Sequence, residues 1–241
     1  MKFKQYYSSS SGNLYTVTAG NGNRLLIECG VTWPKIQAAL EYNLEGIEAC
    51  LLTHEHKDHS KGIEGVMKAG IDVWSNQETF EALGIAGTNR RALYTSQNHI
   101  NPSLDGFNFK SFKSHHDAVA PLLFTIGCCC PDAMLFATDT SHIKQKFNTP
   151  FSIIAIECSY DRYILQERVD TGSINESLAK RLLTSHMEKE ATIRYLEDSC
   201  DLSKCREIHL LHMSTDNIEA EATRQEIEDK FMIHTITVWK R

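Results

Sequence analysis

Leu51-Leu52-Thr53-His54-Glu55-His56-Lys57-Asp58-His59-Ser60 places three imidazoles and a carboxylate within six positions, directly after an apolar run. Packing does not require such crowding, whereas a metal site does. Neutral imidazoles are good ligands for zinc-like cations, and an oxygen ligand suits harder ones. His54 and His56, two residues apart, could reach one ion from an extended turn, and Asp58 and His59, pointing elsewhere, suit a second. The competing reading is a solvated, charged loop that happens to be rich in histidine, and the context of the motif decides between the two.

That context is an ordinary globular chain. Its 241 residues, 41% hydrophobic and 23% charged, contain no low-complexity tract or Pro/Gly/Ser linker, and they predict one domain over residues 1–241. The segment Met1–Tyr7 lacks the apolar core of a signal peptide and no apolar run is long enough to span a bilayer, so a cytoplasmic protein is expected. Eight cysteines show no paired framework. The neighbours Cys128, Cys129 and Cys130 are expected to remain unbridged. A net charge of −6 argues against a protein that coats nucleic acid through a global basic surface. It does not exclude a nuclease, because two divalent ions would add four positive charges locally.

Taken in order, the pattern predicts strands over residues 2–7 and 13–19 joined by the hydroxyl-rich turn Ser8–Asn13, then a strand over 24–30. A helix over 34–42 follows, with proline in its first turn, and a buried strand over 47–53 delivers the histidines. Ser60 is expected to cap a helix reaching Ala69. A strand over 71–74 and a helix over 78–83 come next, and 86–102 has no clear period. From Phe107 the alternation is strand-like and ends at His115-His116. Residues 121–126 and 133–138 resemble a hairpin ending in Asp139. The most apolar strand, 151–158, ends in acidic and polar residues, Glu157 and Asp161. One long helical stretch over 173–198 carries His186. A strand over 207–214 runs into His212, Asn217 is expected to cap a helix to Lys230, and 235–239 closes the chain as a strand.

This succession, with strands ending in His54-x-His56-x-Asp58-His59, His116, Asp139 and His212, resembles the metallo-β-lactamase superfamily in all five ligand-bearing blocks, between residues 8 and 214. The resemblance implies an α/β fold, a four-layer αββα sandwich with a dinuclear centre. It implies that His54, His56 and His116 hold one ion, that Asp58, His59 and His212 hold the other, and that Asp139 bridges them. The cofactors would be two divalent ions, zinc or manganese with iron possible, and a bridging hydroxide would be the nucleophile. The Ser8–Asn13 turn and the blocks around His116, Asp139, Glu157 and His212 look most like the compact WalJ/YycJ-type branch, associated with DNA exonuclease activity. In that branch Ser10, Ser11 and Asn13 would contact substrate, Asp58 and Asp139 would serve catalysis, and His186 would hold a phosphate or protonate the leaving oxygen.

Three functions compete on this reading. The first is a phosphodiesterase acting on DNA, with no membrane and no stable protein partner. The second is a small-molecule hydrolase such as a glyoxalase-II-like thioesterase, towards which the acidic charge leans. The third is a non-catalytic, metal-stabilised binding module, against which the complete ligand set argues. Aspartate at 139 separates the chain from the best-known zinc β-lactamases, which carry cysteine there. Arg90, Arg91, Lys144, Lys146, Arg162 and Arg168 are candidate substrate-contacting cations. His115 and His209 are expected to be structural, and His99, His142 and His234 carry no matching motif.

Overall fold

The computed structural model describes residues 1–93, 95 and 104–238. The chain divides into two compact units, Met1–Lys113 with Ala118–Asp132, and Ser114–Asp117 with Ala133–Arg241.

The first unit begins with β1 (Lys2–Ser9), β2 (Gly12–Thr18) and β3 (Arg24–Ile27), paired antiparallel in sequence. Helix α1 (Trp33–Ala39), opened by Pro34, crosses to β4 (Ile47–Leu51), which lies parallel to β3. Next come α2 (Lys57–Ser60), α3 (Ile63–Lys68), β5 (Val73–Asn76), α4 (Gln77–Ala82) and β6 (Arg90–Leu93), with β4, β5 and β6 all parallel. Leu14, Leu26, Ile36, Val66 and Phe80, each without solvent exposure, close a core between this sheet and helices α1, α3 and α4. The unit is completed by the antiparallel pair β7 (Phe107–Lys113) and β8 (Leu122–Cys128). In β7, Phe107, Phe109 and Ser111 are buried while Asn108 and Lys110 face solvent, the period-two pattern of a half-buried strand.

The second unit is built on four parallel strands in the order β12-β11-β10-β9: β9 (Ala133–Ala137), β10 (Ile153–Glu157), β11 (Glu207–Leu211) and β12 (His234–Thr237). Every residue of β10 is buried, as expected for a parallel strand covered on both faces. Helices α5 (Arg162–Asp170), α6 (Glu176–Ser185) and α7 (Lys189–Ser199) lie between β10 and β11, and α8 (Ala220–Phe231) precedes β12. Among the described residues no helix is long and apolar enough to cross a membrane.

Several local expectations are corrected. Ser60 does not cap a helix; it ends α2, its hydroxyl donating to the Glu55 and His56 carbonyls, because the histidine motif itself forms that turn. The long helix over 173–198 is two helices. The break falls at His186, whose backbone is extended (φ −126°, ψ 158°), because 187–189 is drawn off to pair with 159–160: Ser159 N donates to Met187 O and Lys189 N to Tyr160 O. Helix α8 is capped at Glu219, not Asn217, whose side chain is engaged by Arg168 and Ser214. Cys128 and Cys130 are joined as a disulfide, because the turn from Cys128 to Asp132 folds back and leaves their Cα atoms 5.2 Å apart. His99 and Trp239 lie outside the described residues.

Helix α5 escapes the sequence reading, yet its signal was present. The Asp161 carboxylate accepts from Tyr163 N (2.8 Å) and Ile164 N (3.4 Å) at the helix start and pairs with Lys189 at 2.9 Å. Burial alone would raise the Asp161 pKa, but the Lys189 ammonium and these amides outweigh it and hold the carboxyl below its ordinary 3.8. Asp161→Ala is expected to cost about 1 kcal/mol in urea denaturation at pH 7. A group with a depressed folded pKa stabilises fully above its unfolded value and ceases to do so as pH falls through the folded one. The difference between variant and parent should therefore vanish in acid, and a difference as large at pH 2 as at pH 7 would contradict the assignment.

Candidate metal centre

In the first unit, β4 hands directly into Leu52, Thr53 and His54, all fully or nearly fully buried. The loop that carries the ligands is fastened by backbone bonds to the residues after β3. Cys29 N donates to His59 O (2.8 Å), Gly62 N to Cys29 O (2.7 Å) and Gly30 N to Asn13 O (2.8 Å). A Cβ at Gly30 would lie 1.6 Å from the Asp58 carbonyl oxygen and 2.7 Å from Asn13 N, so only glycine permits this approach. His54 Nε2 stands 3.1 Å from His56 Nδ1, and His59 Nε2 stands 3.5 Å from an Asp58 carboxylate oxygen. The Asn13 amide nitrogen lies 3.0 Å from His59 Nε2 and 3.1 Å from both Ser9 O and Asp58 O, and its oxygen accepts from Tyr15 OH. Asn13 is thus buried beneath the loop and positions it, while Ser10 and Ser11 are the exposed hydroxyls of the same turn.

In the second unit, His116, Asp139, His186 and His212 form one cluster. Asp139 Oδ2 lies 3.4 Å from His116 Nε2 and Oδ1 lies 3.1 Å from His212 Nδ1. The donor atoms of His116, Asp139 and His186 all fall within 4.8 Å of one another. The His186 ring stacks on His212 (5.1 Å, 21°) and meets His116 edge-on (5.1 Å, 68°). Asp139 (φ 47°) and His212 (φ 51°) both adopt the left-handed backbone conformation immediately beyond parallel strands β9 and β11. Such strain persists only where surroundings hold it. Here Thr138 Oγ1 donates to the Asp139 carboxylate and Ser114 Oγ to its carbonyl.

The donor chemistry fits a divalent cation in both units. An imidazole that ligates through one nitrogen usually anchors the other to a hydroxyl, carbonyl or carboxylate. His54 Nδ1 pairs with Thr53 Oγ1 (2.8 Å), His116 Nδ1 with Ser185 O (2.8 Å), and His59 Nδ1 faces Glu28 Oε2 (3.5 Å). In His54 and His116 this leaves Nε2 as the ligating atom, whereas His59 Nε2 faces both Asp58 and the Asn13 amide. Burial lowers the pKa of His116 against the opposing pull of Asp139, which favours the neutral, lone-pair form a metal requires.

His186 is set up differently. Its Nδ1 lies 2.6 Å from Oε1 of Glu157, a carboxylate without solvent exposure whose other oxygen accepts from Thr140 N at 2.6 Å. Burial would depress the imidazole, but the Glu157 charge and hydrogen bond override it and raise its pKa to about 9.

The chain is similar to known proteins along most of its length. The exodeoxyribonuclease WalJ of Streptococcus pneumoniae is 29% identical over 240 residues, covering 90% of this chain and 82% of the relative. The exodeoxyribonuclease YycJ of Bacillus anthracis is 24% identical over 241 residues, covering 94% and 88%. The metallo-β-lactamase fold protein YhfI from Bacillus subtilis superposes with a TM-score of 0.71 at 15% identity, over 98% of this chain and 95% of that one. The chain has the fold of the metallo-β-lactamase superfamily. It is a metal-dependent hydrolase with that superfamily's α/β fold of the αββα type, as the sequence led one to expect. The family described as "Anti-Pycsar protein Apyc1" matches residues 4–77, the part that carries the first-unit histidines.

Two carboxylates at this candidate site exceed what sequence reasoning assigned. Glu28, fully buried and at φ 62° just beyond β3, faces His59 and accepts from Thr53 N at 3.4 Å. Burial pushes its carboxyl pKa up, against the pull of His59. Glu157, read only as an acidic strand end, holds His186. The signal for both was a charged residue closing an otherwise apolar strand, which only a buried partner can justify. Gly30→Ala is expected to destabilise the fold by about 1–3 kcal/mol through overpacking and to lower bound metal, because the ligand loop must move off Asn13. Unchanged melting and metal content in that variant would refute the role of this close approach.

Proposed function

We propose that the chain is a dinuclear metal-dependent DNA exonuclease in which residues 1–241 act as one domain. His54, His56 and His116 would hold one ion, Asp58, His59 and His212 the other, with Asp139 shared. The observation that carries the nuclease reading is the similarity, along some nine-tenths of the chain, to two exodeoxyribonucleases. The anchored imidazoles in both units support the ligand assignment. Zinc and manganese both suit a set of imidazoles and carboxylates, as does iron. Two such cations supply a water of lowered pKa and neutralise charge on the phosphoryl oxygens.

The remaining steps belong to the chain's own side chains. Asp139 is fixed by Thr138 and His212, and it orients the donors around it. His186, held through Nδ1 by Glu157, presents Nε2 as proton donor to the leaving oxygen of the cleaved strand. Ser10 and Ser11, exposed at the turn above Asn13, offer hydroxyls to a phosphate.

Elemental analysis of protein purified without chelator should give about two metal equivalents. Incubation of 5′-labelled single- and double-stranded DNA with manganese or zinc should yield stepwise shortening. Intact DNA beside rapid thioester hydrolysis would overturn the nuclease reading. Asp139→Ala should lose both metal and turnover. His186→Ala should retain metal and slow DNA cleavage about 10²–10⁴-fold, the usual contribution of a positioned acid. Loss of metal from His186→Ala would instead place this imidazole among the ligands, with His116 and Asp139.

A further inference from the structure

Immediately after Asp139 the chain runs as a strap without helix or strand, in which exposure alternates residue by residue. His142, Lys144, Lys146 and Asn148 face solvent, whereas Ile143, Gln145 and Phe147 are buried or half-buried. The strap is fastened along its length. Ser141 N donates to His115 O (2.8 Å), Thr140 Oγ1 to His142 O (2.8 Å) and Tyr195 OH to Gln145 O (2.8 Å). Its far end is held by a bridge between Phe147 and Cys200 and by the Phe147 ring against Phe151 (5.5 Å, 76°). Its outer side is therefore a fixed row of two ammonium groups and one imidazole that starts beside the metal-site carboxylate.

We infer that this row binds the unpaired strand of a nucleic acid as it approaches the metal centre, with His142 stacking a base and Lys144 and Lys146 contacting successive phosphates. The inference rests on the nuclease reading and names the form of substrate that it takes. Three features support it. First, the His142 ring lies 4.1 Å from that of His115 and tilted by 34°, so a two-ring stack is already built, and His142 is exposed. Bases stack on such platforms with little dependence on sequence, but only where their faces are not already stacked within a duplex. Second, neither Lys144 nor Lys146 forms an ion pair among the described residues, in contrast to Arg162, Arg168, Arg181 and Lys189, which all face carboxylates. Third, these lysines are two residues apart on a path of about 3.3 Å per residue, hence roughly 7 Å, a spacing suited to neighbouring backbone phosphates. At its far end Lys146 and Phe147 border a groove of about 410 Å³ whose other side carries Glu197, Asp198 and Asp201.

The test uses the full chain. In chelator, so that nothing is cleaved, a labelled oligo(dT) should bind more tightly than a duplex of the same length. His142→Ala should weaken oligo(dT) binding about tenfold, as expected for one lost stack. Lys144→Gln combined with Lys146→Gln should flatten the slope of log affinity against log salt by about 1.4, from roughly 0.7 per phosphate contact on single strands. With metal, both sets of variants should raise KM for single-stranded DNA more than they lower kcat, and the ratio of DNA to bis(p-nitrophenyl) phosphate turnover should fall about tenfold. Each strap lysine is also replaced singly, and the exposed Lys110→Gln, on β7, controls for the loss of one surface charge. Wild-type affinity and slope in the strap variants, or an equal effect from Lys110→Gln, would overturn the inference while leaving DNA cleavage by the parent protein to support the nuclease reading. A parent protein that hydrolyses the small ester but neither binds nor cleaves DNA would overturn both.

Discussion

The candidate site residues His54, Asp139, Glu157 and His212 sit at or just beyond the carboxyl ends of largely buried strands. Parallel strands such as β4, β10 and β11 are apolar because both faces are covered, so the first polar residue beyond the carboxyl end is the first that can reach a site. At such ends the chain must turn at once. Glu28, Asp139 and His212 do so with positive φ, a conformation that costs a non-glycine residue energy and that hydrogen bonds to neighbouring backbone and hydroxyl groups must hold. The site is bound to the strand ends in a stronger sense than attachment: the strain and the ligand direction are the same backbone feature.

A second constraint follows from burial. Carboxylates without solvent exposure at Glu28 and Glu157 would be destabilising alone, and each is placed against an imidazole. The two pairs do different things. Glu28 reaches His59 at the edge of hydrogen-bonding distance and fixes which nitrogen faces outward, whereas Glu157 grips His186 closely enough to keep it protonated to about pH 9. One fold device, a charged residue closing an apolar strand, faces an imidazole at the edge of hydrogen-bonding distance in one place and grips one closely in the other.

Under the proposed nuclease function an acidic protein must serve a polyanionic substrate. With a net charge of −6, attraction cannot come from the surface as a whole. Under that proposal it has to be local, supplied by cations held at the strand ends and by basic side chains placed near them. The strap after Asp139 concentrates such side chains beside the site, while other cations, Arg162 among them, are spent on ion pairs that hold helices in place.

Much of the candidate site was legible in the sequence because residue type and spacing are local: a crowded His54–His59 run, and His116, Asp139 and His212 each just beyond a strand-like stretch, declare themselves. The same locality gave the strands, whose alternation or uniform apolarity is a property of a few neighbouring residues. What the sequence could not supply depends on partners distant in the chain. Helical periodicity continues through His186, yet the helix breaks there because residues 187–189 pair with 159–160, and that break lets the imidazole reach Glu157. Asn13 reads as an exposed turn residue and is instead buried under a loop that begins some forty positions later. Sequence alone therefore determined which atoms can ligate and which segments are apolar. Tertiary structure decided which imidazoles are anchored, which is charged and which cations remain available, because those properties arise from burial and from contacts between residues that the chain order keeps apart.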